Sequence, residues 1–97
     1  MRLSKEVIDI IKSVIQENYD NNTRVYLFGS RTDDNKKGGD IDLYVETNLP
    51  DSTFERRLRI LARLNSLLGE QKIDLLVNCD GKEKYIYKIA KNEGILL

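Results

Sequence analysis

Histidine does not occur in this sequence of 97 residues, and cysteine and proline occur once each, as Cys79 and Pro50. Without imidazole there is no Ser-His-Asp or Cys-His device, no HExxH zinc site and no histidine base working near neutral pH. A lone cysteine forms no intramolecular disulfide and no cysteine-rich zinc site, which points to a reducing, cytoplasmic setting. Charge of one sign is not in excess either, because 16 basic residues balance 16 acidic ones. The chain therefore lacks the basic surplus that drives binding to a phosphate backbone. Nucleic acid is not the expected main partner, although an RNA acceptor stays open. Long hydrophobic runs are missing as well. Acids and lysines interrupt the apolar residues between Met1 and Gln16, leaving neither the apolar region of a signal peptide nor the ~20 apolar residues of a membrane span. A soluble, unexported chain with no membrane partner is expected.

What remains for chemistry is carboxylates, lysines, hydroxyls or a bound ion. The length is that of one domain, and neither repeats, low-complexity tracts nor linkers divide it, so residues 1–97 read as a single unit with one core.

From about Leu3 to Tyr19, Val7, Ile8, Ile11, Val14 and Ile15 recur at helical spacing behind Ser4 as N-cap. Asp20, Asn21 and Asn22 break that helix. Arg24 to Phe28 reads as a strand apolar on both faces, hence central in a sheet covered on both sides. The stretch Thr32 to Gly39 is polar and turn-rich. Asp40 to Glu46 then alternates strictly, with Ile41, Leu43 and Val45 on one face of a second strand. Ser52 to Glu55 fits a capping box, opening a helix over 53–68 with Phe54, Leu58, Leu61 and Leu68 on its inner face and Gly69 as its stop. Lys72 to Asn78 makes a third strand. Asp80 to Glu83 begins a last helix, carrying Tyr85, Ile86, Ile89 and Ala90 inward and ending near Gly94. The expected class is α/β (or α+β), a small mixed sheet of three or four strands backed by helices.

On the second strand alternate side chains share a face, so Asp40 and Asp42 point the same way with Cα atoms about 6.5 Å apart. Asp74 is likewise the polar residue between Ile73 and Leu75 on the third strand. The three acids converge if these strands are neighbours. Clustered carboxylates repel one another, and the cost is relieved by protonation or by a divalent cation between them. Hard oxygen ligands select Mg²⁺ or Mn²⁺. A pair of such ions aligns an attacking oxygen with a phosphorus and stabilises a leaving pyrophosphate, a chemistry that needs no imidazole.

Phosphate oxygens would fall to Gly29, Ser30 and Arg31, directly after the first strand. Glycine permits close backbone approach, the N–H groups and the Ser30 hydroxyl can donate, and residues 30–35 as a helical turn would aim its N-terminus at the anion. Arg31 could add a charged contact or point to solvent.

In this order and spacing, Leu27-Phe-Gly-Ser-Arg31, then Asp40-Ile-Asp-Leu43, then Asp74 on a later strand, the chain resembles the polymerase-β-type nucleotidyltransferase superfamily. Its smallest members are the minimal nucleotidyltransferase, or MNT, domains, and the ending Lys88 to Ile95 looks like theirs too. The resemblance implies that Gly29 and Ser30 bind the phosphates of ATP or another nucleoside triphosphate. It also implies that Asp40 and Asp42 hold two Mg²⁺ ions and that Asp74 assists the acceptor hydroxyl. Two positions depart from the usual pattern: Asp33 stands where many relatives carry a second basic residue, and Gly39 where many carry serine.

MNT domains commonly pair with a helical HEPN-type protein and act as the antitoxin, transferring AMP onto it. The resemblance therefore implies a protein adenylyltransferase in a toxin–antitoxin pair, with the acceptor supplied from outside a chain too short for a second lobe. A non-catalytic module that neutralises its partner by occlusion is the alternative, and the intact set of three acids argues against it. Elsewhere Arg56, Arg57, Arg59 and Arg63 read as a solvated helix face, Tyr85 and Tyr87 as packing residues and Cys79 as a small filler.

Overall fold

The computed structural model describes residues 3–29, 40–48, 54–69, 72–79 and 84–97. Helix α1 spans Lys5–Asn18 and starts as its sequence requires, with the Val7 N–H donating to the Ser4 Oγ at 3.2 Å. Its apolar row places Ile11, Val14 and Ile15 in the core. The chain then turns at Asp20, whose carboxylate accepts from the Asn22 N–H at 3.1 Å and the Thr23 hydroxyl at 2.8 Å.

Strands β1 (Arg24–Phe28), β2 (Ile41–Glu46), β3 (Ile73–Asn78) and β4 (Ile95–Leu96) form one sheet in the order β3-β2-β1-β4. β1 runs antiparallel to β2 and β4, whereas β2 and β3 are parallel, so the sheet is mixed. β1 and β2 are central, as their continuous burial demands. The parallel β2–β3 pairing needs a crossover, which α2 (Phe54–Leu68) supplies, ending at Gly69 with φ +84°.

One sheet face carries Val25, Leu27, Ile41, Leu43 and Val45, all buried against α1 and against Ile60 and Leu64 of α2. The opposite face holds Tyr26 and Tyr44, packed under Ala90 and Tyr87 of α3 (Tyr85–Glu93). The Tyr44 ring lies between the other two, with centroids at 5.8 Å from Tyr26 and 5.5 Å from Tyr87. Its hydroxyl donates to Glu46 at 3.1 Å and accepts from the Asn78 amide at 3.1 Å. The described part of the chain is thus a mixed α/β unit of three helices and a four-stranded sheet.

Two helix faces differ from the sequence expectation. On α2, Phe54 and Leu58 are 66% and 49% exposed, Leu61 and Leu68 are half-buried, and the fully buried pair is Ile60 and Leu64. The helix is apolar on more than one side, so its period alone does not choose the row. Packing settles it: Ile60 and Leu64 lie one turn apart, and Leu58, two residues before Ile60, falls on the far side. On α3, Tyr85 and Ile86 are exposed rather than inward, Ile89 is half-buried, and Tyr87 faces the sheet, its hydroxyl donating to the Val77 carbonyl at 3.2 Å. Once Tyr87 stacks on Tyr44, Tyr85 and Ile86 are rotated away.

Strand β4, unforeseen after Gly94, exists because the chain reverses tightly against β1. A Cβ at Gly94 would meet the Ala90 carbonyl, and the Leu27 carbonyl at 3.1 Å. The arginine row is not wholly solvated either: Arg56 is half-buried with its guanidinium 5.2 Å from the centre of the Tyr19 ring. Cys79 is half-buried. The expected capping box at Ser52, Pro50, the turn over 30–35 and the helix start at Asp80 lie outside the described residues. Among the described residues no helix is long and apolar enough to cross a membrane.

Candidate active site

The face of the sheet under α3 is covered at the Tyr44 end, and the acids lie beyond it along the same strands. Asp42 has Phe28 as its register partner on one side and Asp74 on the other. Because β2 and β3 are parallel and matched residue for residue, the two carboxyls project from the same face, near enough for Asp74 to act on the ionisation of Asp42. The ladder opens with the Ile41 N–H donating to the Lys72 carbonyl at 2.9 Å. Just ahead of the two strands, Lys72 Nζ lies 3.9 Å from the Asp40 carboxylate. Asp40 and Asp42 are half-buried and Asp74 and Lys72 exposed.

Burial pushes the Asp42 carboxyl above its ordinary value of 3.8, and the Asp74 hydrogen bond, the Asp74 charge and the Asp40 charge push the same way. The Lys72 ammonium opposes them. Asp42 is thus the focus of the like-charge repulsion that three acids on neighbouring strands create.

Gly29 closes the site from the β1 side. Its φ is +78°, in the left-handed region that favours glycine. A Cβ there would collide with the Asp42 carboxylate, so the absence of a side chain is what lets this backbone lie against the acid. Ser30 and Arg31, the other two phosphate-binding candidates, lie outside the described residues.

The donor set fits a hard divalent cation in kind: carboxylate oxygens, mutually repelling, on one open face. Among the described residues no three acidic or cysteine side chains gather closely enough to hold an ion as they stand. Asp42 and Asp74 already meet, whereas Asp40 leans toward Lys72. A polar cleft of about 690 Å³, lined by residues including Arg24, Glu46, Asn78 and Lys91, lies at the opposite end of β1 and β2 and contains none of the acids.

Lys72 is the residue in this cluster that the sequence reading passed over. It stands just ahead of β3 and two places before Asp74.

The family model described as nucleotidyltransferase domain matches residues 8–97, nearly the whole chain and every acid in the cluster. The chain belongs to the nucleotidyltransferase domain family. Nucleotidyl transfer is accordingly its general chemistry, and this nucleotidyltransferase domain has an architecture consistent with the polymerase-β-like fold. No curated protein matches the chain.

Proposed function

We propose that this nucleotidyltransferase domain moves a nucleoside monophosphate, AMP when ATP is the donor, onto a hydroxyl of a partner macromolecule. The observation that carries the reading is the Asp42–Asp74 register, with Asp40 two residues away on the same face and glycine backbone against Asp42. In the proposed reaction the acceptor oxygen bonds to the α-phosphorus, the bond from that phosphorus to the β-phosphate bridging oxygen breaks, and pyrophosphate leaves.

Two Mg²⁺ ions, or Mn²⁺ in their place, held by Asp40, Asp42 and Asp74, would neutralise the charge on the α-phosphate and on the leaving pyrophosphate. Asp74, the more exposed of the two contacting acids, orients the acceptor hydroxyl and takes its proton. The backbone at Gly29, with Ser30 and Arg31 after it, holds the phosphates of the donor. Much of the rate then comes from orientation, because the acceptor is presented to a nucleotide already fixed at the sheet.

The exposed position of Asp74 supports an acceptor brought by another molecule, and the resemblance to MNT domains makes a helical HEPN-type protein the first candidate, with this chain as its cytoplasmic antitoxin. Incubation of the domain with ATP, Mg²⁺ and a co-encoded helical partner should add one AMP to the partner, read by intact mass. Asp74→Asn should abolish the addition. A stable complex with no increment under several nucleotides and metals would favour neutralisation by occlusion.

A further inference from the structure

We infer that Lys72 is a positioning residue of this site with two alternating partners: the Asp40 carboxylate when the acids are free, and the phosphates of the nucleotide once the acids hold a cation. The inference rests on the reading of the acids as a metal–nucleotide site.

Three observations carry it. The Lys72 backbone is held at the edge of the site independently of its ion pair, because its carbonyl accepts from the Ile41 N–H, the bond that opens the β2–β3 ladder just before Ile73. Lys72 stands just ahead of β3 and two residues before Asp74, the spacing at which side chains of an extended chain share a face. The ion pair itself is loose, 3.9 Å between side chains that are 69% and 49% exposed, and exposed pairs of this kind hold weakly.

A cation entering the acids needs the Asp40 oxygens and repels the ammonium beside them, so Lys72 must let go. It cannot go far, since the hydrogen bond from the Ile41 N–H to its carbonyl keeps its backbone next to the site. The strongest anion then within its reach is the polyphosphate that accompanies the metal, and an ammonium on a four-carbon stem suits that exchange as a mobile point charge. Lys72 thus stands in for the metal before binding and for a phosphate ligand afterwards.

The two roles give effects of opposite sign. In Lys72→Met, Mn²⁺ alone should bind about three- to tenfold more tightly, because a competing cation has gone. Mg²⁺–ATP should bind about three- to tenfold more weakly, because a phosphate contact has gone. Lys72→Arg should keep both affinities close to wild type, and both changes should shrink at high salt. Calorimetry with Mn²⁺ alone and with ATP at saturating Mg²⁺ reads the pair. A merely structural lysine would weaken both ligands together, and an idle one would change neither; either result overturns the inference. If wild type binds no Mn²⁺ at all, the reading of the acids falls and this inference falls with it; if it binds Mn²⁺ and Lys72→Met leaves that affinity unchanged, only the inference falls.

Discussion

Asp42 and Asp74 face each other across the parallel β2–β3 pair as register partners. Carboxylates this close disfavour the ionised form of Asp42. The consequence appears in the stability of the fold. The Asp42 carboxyl titrates above 3.8 in the folded chain, burial being the largest cause and Asp74 the next. A raised folded value means that the folded state binds more protons than the unfolded one across that window, so stability falls as pH rises from the unfolded value through the folded one. Asp42→Asn should remove that falling limb. Denaturant midpoints for the variant should equal or exceed those of wild type near pH ~7, and the wild-type advantage on acidification should be missing. A variant clearly less stable than wild type at neutral pH would make Asp42 a structural residue.

Gly29 is the second point at which the site depends on one atom. Gly29→Ala forces a Cβ into the Asp42 carboxylate and demands a positive φ from a non-glycine residue, which costs about 1–2 kcal/mol. The variant should fold with a modest fall in melting temperature and lose nucleotide binding far out of proportion to that fall. Normal ATP affinity in a calorimetric titration would place the phosphates elsewhere.

The orientation of α2 predicts a contrast between two leucines six residues apart. Leu64 is fully buried between α1 and the sheet, and Leu58 is 49% exposed. Leu64→Ala should destabilise by about 2–5 kcal/mol through lost contacts and a cavity, whereas Leu58→Ala should cost less than ~1 kcal/mol. Equal losses in chemical denaturation would mean that α2 presents a different face to the core.

These residues also show how far the sequence could be read. The strands were legible because alternation in β2 has one solution: Ile41, Leu43 and Val45 on the face under α1 and α2 leave Asp40 and Asp42 on the other. Asp74 between Ile73 and Leu75 followed by the same rule. The parallel register that makes Asp42 and Asp74 partners was not legible, since it is set by where the crossover returns. The helices were legible in extent but not in rotation. Phe54, Leu58, Leu61 and Leu68 form as regular a row as Ile60, Leu64 and Leu68, and only the packed sheet decides between them. Tyr85 and Tyr87 posed the same ambiguity on α3, resolved by the stack on Tyr44. Strand β4 is two residues long, too short for any period to mark it. Lys72 was not legible as a site residue, because a lysine two places before an acid carries no signal until the packed strands bring it to Asp40.

The most direct test of the site is the metal dependence of nucleotide binding. ATP affinity should be measured by calorimetry with Mg²⁺ and with EDTA, for wild type and for Asp40→Asn combined with Asp42→Asn. Wild type should bind ATP at least about tenfold more tightly with Mg²⁺, a difference of roughly 1.4 kcal/mol or more, and the natively folded double variant should bind equally weakly in both conditions. Equal wild-type affinity with Mg²⁺ and with EDTA, or a double variant that keeps the Mg²⁺ dependence, would contradict the assignment of Asp40 and Asp42 to the metal–nucleotide site.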